Sequence, residues 1–184
     1  MSMILSDANI SHPRKVAIIG PECTGKTDLS HRLAAYFKTE WVPEYARQYL
    51  NKLNRPYERS DLTKIAHGQV RMEDEWAREA KRVLICDTNL TVIKVWSEFK
   101  YGECDPEIIQ VMKNRHYDLL LVTDIDIPWE DDPQREHPDK REHFRDVYIK
   151  EAQESGIPFA IIEGTREQRL KKAVEEIEKI LSGS

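Results

Sequence analysis

Residues 15–27 read KVAIIGPECTGKT, and this stretch decides the fold. Lys15 to Ile19 is a short apolar run closed by Gly20, the pattern of a strand buried on both faces. Gly20-Pro21-Glu22-Cys23-Thr24-Gly25-Lys26-Thr27 fits G-x-x-x-x-G-K-[ST] without a mismatch. The glycines let the backbone curl so that several N–H groups point inward at phosphate oxygens. A helix starting near Lys26 adds its positive dipole end. Lys26 supplies a mobile charge for the β- and γ-phosphates, and the Thr27 hydroxyl can ligate magnesium. The motif lies between an expected strand and an expected helix, which is the context it needs.

Outward from the motif, Leu29, Leu33, Tyr36 and Phe37 recur at helical spacing. Four more apolar runs read as strands: Trp41 to Pro43, Val83 to Cys86, Leu119 to Val122 and Phe159 to Ile162. Helices are expected between them: Tyr45 to Leu53, Asp61 as cap of a long helix to about Lys81, and Thr91 to about Tyr101. Asp105-Pro106 opens another, Asp139 with Glu142 caps a further one, and Thr165 with Gln168 makes a capping box for the last. The last helix carries an apolar stripe through Leu170, Ala173, Val174, Ile177, Ile180 and Leu181. Short apolar strands alternating with helices imply a parallel sheet covered on both faces. The expected fold is α/β: a P-loop NTPase three-layer sandwich with a five-stranded parallel sheet and a small helical lid. Residues 1–14 read as a flexible N-terminal leader and 15–184 as a single domain.

Ligands in such folds bind at the carboxyl ends of the strands, so acids there become candidates. Asp87 follows the VLIC run and is placed to hold magnesium, directly or through water; the competing reading is a helix cap. Glu44 follows the Trp41 to Pro43 run and would face the same mouth. A carboxylate there could take a proton from an acceptor hydroxyl, and an ion pair with Arg47 is the competing reading. Asp124 to Pro138 is polar and punctuated by prolines. It lacks the glycine and the terminal glutamate of an EF-hand, so a calcium loop is rejected. Arg135 and Arg141 could be lid arginines that neutralise a transferring phosphoryl group, or part of a charged surface helix.

Composition limits the alternatives. Apolar residues make up 40% and charged residues 33% of 184, an ordinary globular balance. A net charge of −5 argues against a general nucleic-acid role. No apolar run reaches the roughly 18 residues that would span a bilayer, and Asp7, Asn9 and His12 interrupt any signal-peptide pattern. Cys23, Cys86 and Cys104 show no metal-ligand or framework spacing, which suits a reducing, cytoplasmic setting. A GTP-specific switch would show an NKxD-type motif after the fourth strand; this chain has Thr123-Asp124-Ile125-Asp126.

GPECTGKT, LSHRLAAYF, PEYAR, IAHGQVR, CDT and WEDDPQR together resemble the NadR-like P-loop ATPases, specifically the ribosylnicotinamide kinase domain of the bacterial NAD-salvage protein NadR. The resemblance covers roughly residues 15 to 181; the EYxR and WxDDxxR elements are its specific part. It implies a cytoplasmic kinase that uses ATP and magnesium to phosphorylate the 5′-hydroxyl of nicotinamide riboside or a related nucleoside. Homo-oligomers fit this reading, and neither a nucleic acid nor a membrane is expected as partner. The resemblance puts the nucleotide against Gly20, Glu22, Cys23, Thr24, Gly25, Lys26, Thr27 and Asp28, with Thr165 on the same side. It puts Glu44, Arg47, Arg71 and Asp87 toward the acceptor. Asp87 serves as the Walker B-type acid and shares the metal with Thr27. Arg135 and Arg141 belong to the lid; the catalytic set is Lys26, Glu44, Asp87, Arg135 and Arg141. Two departures stand out. NadR-like sequences often read DTD where this chain has Asp87-Thr88-Asn89, and nothing here matches the adenylyltransferase domain of full NadR. The alternative is a regulatory P-loop ATPase without a small-molecule acceptor.

Overall fold

The computed structural model describes residues 12–131 and 137–183. Five strands, β1 (Arg14–Ile19), β2 (Trp41–Val42), β3 (Val83–Asp87), β4 (Leu119–Thr123) and β5 (Phe159–Ile162), form one sheet in the order β2-β3-β1-β4-β5. Every pairing is parallel. The helices are α1 (Lys26–Phe37), α2 (Tyr45–Lys52), α3 (Arg59–Glu79), α4 (Leu90–Tyr101), α5 (Pro106–Lys113), α6 (Arg141–Ser155) and α7 (Arg166–Ser182). This is the α/β fold expected from the alternating pattern. β1 lies between β3 and β4, so the strand order reverses at its end, where ligands of such sheets bind.

The two-residue period of each strand divides its apolar side chains between two cores. Ala17, Ile19, Leu84, Cys86, Leu120 and Val122 face Tyr117, Phe144 and Tyr148 on one side. Val16, Ile18, Ile85 and Leu121 face Leu29 and Leu33 of α1 and Ala173 and Ile177 of α7 on the other. A third cluster joins α2, α3, α4 and α5 through Ala46, Leu62, Ile65, Leu90, Ile93 and Ile108. Ala46 of this cluster, with Leu50 and Trp96 packed against it, reappears in the lining of the cleft beside the phosphate loop.

The structure corrects three boundaries. Arg14, placed in the leader from sequence, already belongs to β1, where its guanidinium bonds Asp118 at 2.8 Å. Asp139 does not cap a helix; residues Pro138–Lys140 form a 3₁₀ turn and α6 begins at Arg141. Asp61 is not the cap of α3 but its third residue, in a capping box whose N-cap is Glu58. Its carboxylate accepts from the Glu58 N–H at 2.8 Å, the Tyr49 hydroxyl at 2.8 Å and Arg55 at 2.7 Å. That carboxylate is fully buried, so it does more for the structure as the meeting point of α2 and α3 than as a cap.

The Arg55 bond, with help from the Glu58 N–H and Tyr49, holds the Asp61 carboxyl well below the ordinary range. A depressed folded-state pKa gives stability that is present above the unfolded value, near 4, and lost as pH falls toward the folded one. Asp61→Asn should therefore be less stable than the parent at pH 7 and should flatten the loss of stability on acidification. Urea unfolding at pH 7 and pH 3 checks this; parallel losses in the two proteins would remove Asp61 from the account.

Candidate functional site

The loop between β1 and α1 is built on left-handed backbone. Gly20 has φ 143°, Cys23 φ 55° and Gly25 φ 75°. A Cβ on Gly20 would collide with the side chain and carbonyl of Thr123 at the end of β4, so only glycine lets the loop turn there. The Thr24 hydroxyl donates to the Pro21 carbonyl at 2.8 Å and meets the Thr123 hydroxyl at 2.7 Å. Arg169 of α7, 3% exposed, donates to the Thr24 carbonyl at 2.7 Å, the Asp124 carbonyl at 3.0 Å and the Gly164 carbonyl at 3.1 Å, and pairs with Asp126. Sequence reading missed Arg169. Its signal is position: it stands four and eight residues before Ala173 and Ile177, on the buried stripe of α7.

Lys26 folds back over the loop and donates to the Gly20 carbonyl at 3.0 Å and the Pro21 carbonyl at 2.7 Å. Burial lowers its ammonium, opposed by the charges of Glu44 and Asp87. The Thr27 hydroxyl donates to Asp87 Oδ2 at 2.6 Å, and Asp87 is 2% exposed. Burial raises the Asp87 carboxyl, with the Thr27 bond acting the other way. Two hard oxygen donors thus stand side by side at the loop, a set that could hold magnesium together with phosphate oxygens. Asn89 caps α4, its side chain accepting from the Thr91 N–H at 3.0 Å. Asparagine and aspartate serve an N-cap equally well, which explains how Asp87-Thr88-Asn89 keeps this turn.

Glu44 occupies the cap position of α2, yet its side chain caps nothing. It lies 3.5 Å from Arg47 Nε with 20% of the side chain exposed. Both residues line a cleft of about 260 Å³ that runs along the phosphate loop, including Gly20, Glu22, Cys23, Thr24, Gly25, Lys26, Thr27 and Asp28. The rest of the lining is mostly apolar and aromatic: Ala46, Leu50, Val92, Trp96 and Tyr148. Glu44 therefore has both its sequence readings at once, a pair with Arg47 and a place in the cleft with Lys26. Burial raises its carboxyl, with Lys26 opposing.

Arg141, the first residue of α6, donates to the Cys23 carbonyl at 3.2 Å and the Ile127 carbonyl at 2.7 Å. The Glu130 N–H donates to Cys23 Sγ at 3.0 Å. The segment after β4 thus lies against the phosphate loop. Arg145, not singled out in the sequence, pairs with Asp124 at 2.8 and 3.1 Å and secures the root of that segment. Arg135 lies outside the described residues. Of three further sequence candidates, one lies in the cleft with a partner of its own and two stand away from it. Asp28 lines the cleft but is tied to Arg166, whose hydrogen bond lowers its carboxyl. Thr165 is exposed and occupied in the capping box of α7. Arg71 is exposed on α3 and does not line the cleft, because the adjacent buried face of that helix is taken by Gln69 and Glu73.

Sheet order, phosphate loop and strand-end acid define a P-loop nucleotide-binding protein. The family model described as an AAA domain (AAA_28) matches residues 15–169, and the chain belongs to that family. Among curated proteins it is similar to the trifunctional NAD biosynthesis/regulator protein NadR of Escherichia coli strain K12, 26% identical over 177 residues and 91% of this chain. NadR of Salmonella typhimurium strain LT2 is 26% identical over 175 residues. The chain spans 43% of the length of each of these relatives. Among solved structures, NadR in complex with NR superimposes with a TM-score of 0.77 at 20% identity, over 92% of this chain and 52% of that one. Deoxyadenosine kinase from M. mycoides with bound dCTP gives 0.57 at 12% identity, over 90% and 99%. The fold is thus that of the P-loop nucleoside kinases, and the NadR resemblance seen in the motifs is upheld.

Lys26 serves the loop and its ligand rather than either core. Lys26→Ala should still fold, since its side chain packs in none of the apolar clusters, while losing most affinity for Mg-ATP. Calorimetry showing unchanged Mg-ATP binding in a folded variant would overturn the assignment of this loop.

Proposed function

We propose that the protein transfers the γ-phosphoryl group of ATP to the 5′-hydroxyl of nicotinamide riboside or a closely related nucleoside. The observation that carries this reading is the cleft itself: one lining joins the phosphate-loop lysine, the Glu44 carboxylate with its partner Arg47, and an apolar, aromatic wall. A slow ATPase needs the loop and the metal acid. It does not need Glu44 in the cleft beside a wall of Leu50, Val92, Trp96 and Tyr148, which suits a flat nucleoside ring. The relation to NadR, a NAD biosynthesis protein with a structure in complex with NR, supports the nicotinamide nucleoside among possible acceptors.

In this reading Lys26 leaves its two carbonyls and takes up the β- and γ-phosphates. Thr27 and Asp87 would hold magnesium, which would supply positive charge against the phosphates. Glu44 receives the proton of the acceptor hydroxyl. A carboxyl raised by burial is a better base near neutral pH than an ordinary one. Arg47, 3.5 Å from Glu44, orients it toward the acceptor. Arg141 holds the segment after β4 against the loop.

Glu44→Gln keeps the side chain's shape and removes the base. Its kcat for transfer to nicotinamide riboside should fall by about 10²- to 10⁴-fold, with Mg-ATP binding unchanged. A loss of only about twofold would take Glu44 out of the chemistry.

A further inference from the structure

Glu44 can act in the cleft only if something else fixes the start of α2. A residue at the cap position of a helix ordinarily turns its side chain back to the first free N–H groups. Here the Glu44 side chain makes no such bond, and the first N–H of the helix, that of Tyr45, donates instead to Gln69 Oε1 on α3 at 2.9 Å. Gln69 is 1% exposed. Its other amide atom, Nε2, faces Glu73 Oε1 at 3.4 Å. Glu73 is in turn held by the Tyr117 hydroxyl at 2.8 Å and by Arg115 at 3.3 Å. With a donor on one side and a carboxylate on the other, the amide has one orientation that satisfies both.

Next to it on α3 stands Gly68. A Cβ there would overlap the ring of Tyr45, so the missing side chain is the seat into which that ring packs. Glycine inside a helix weakens the helix, and in α3 it coincides with the contact that α2 needs. Two successive residues of α3 therefore grip Tyr45, one by its ring and one by its N–H, directly after Glu44. Gln69 also borders a small hollow with Glu44, Thr88, Val92 and Trp96, so the grip sits against the acceptor end of the cleft.

We infer that Gln69, oriented by Glu73 and assisted by Gly68, is a positioning residue for Glu44: it fixes the backbone from which that carboxylate enters the cleft. This rests on the reading of Glu44 as the acceptor's base. Gln69 bonds Tyr45 and Glu73 and is not in the lining of the cleft along the phosphate loop, so its loss is felt through the placement of Glu44. A misplacement on the scale of 1 Å can cost about 10²-fold in rate.

Gln69→Met keeps the bulk and removes both polar atoms. Its kcat for nicotinamide riboside should fall about 10- to 100-fold, while the KM values for Mg-ATP and nucleoside stay within about twofold. In a Glu44→Gln background the same change should cost nothing more, because residues acting as one unit are not additive. Three results would overturn the inference: an unchanged kcat, a raised nucleoside KM at unchanged kcat, or a further loss in the Glu44→Gln background. If Glu44→Gln alone leaves transfer intact, it is the base reading that fails. If that variant is inactive and Gln69→Met is not impaired, only the positioning role fails. Circular dichroism monitors folding. Should Gln69→Met not fold, Tyr45→Pro removes both parts of the grip, the N–H donor and the ring on Gly68, at a first helical position that suits proline, and at least the same kcat loss is required of it.

Discussion

The buried guanidinium of Arg169 ties together three segments that strand pairing and the Thr24–Thr123 contact already bring close. It donates to the phosphate loop at Thr24, to the end of β4 at Asp124 and to the turn before α7 at Gly164. Hydrogen bonds to charged groups contribute about 1.5–3 kcal/mol each, and a buried charge without them is costly. The loop is therefore shaped from behind. With the Thr24 carbonyl turned to Arg169 and the Thr24 hydroxyl to Pro21 and Thr123, the polar groups on the far side are satisfied within the protein. Gly20 lets this happen at the crowded end of β1.

The electrostatics of the cleft follow from that cradle. One ammonium, Lys26, faces two carboxyls, Glu44 and Asp87; Asp87 is buried and the other two are half-buried. Each is pushed toward its neutral form by burial and back by its neighbours. The two acids are kept apart in role by what they touch. Asp87 accepts from Thr27 and belongs to the loop, whereas Glu44 keeps company with Arg47 and the apolar wall. The segment after β4 lies against the same loop through Arg141 and Cys23.

Much of this was legible in the sequence because the signals are local. KVAII next to GPECTGKT announced both β1 and the loop, and the apolar runs announced the other strands in their order. Asp87 and Glu44 could be placed because strand ends point to ligands in such sheets. What escaped is what depends on distant partners. Asp61 looks like a cap from its spacing, and only the approach of Tyr49 and Arg55 makes it a buried junction. Arg169 reaches Asp124 and Thr24, 45 and 145 residues away, and Arg145 reaches Asp124, 21 residues away. Gln69 sits in a stretch quoted only for its family likeness, and its bond to Tyr45 spans 24 residues. Thr165 and Arg71 were drawn toward the site by resemblance, whereas the fold occupies one in a capping box and leaves the other on an outer helix face.

The central claim is that the cleft passes a phosphoryl group from ATP to a nucleoside. Mass analysis of the nucleoside after incubation with Mg-ATP tests it most directly. The account predicts that nicotinamide riboside gains one phosphoryl group in step with ADP formation, and that ADP forms slowly without it. ADP appearing at one rate with and without a panel of nucleosides, with every nucleoside recovered at its original mass, would contradict it.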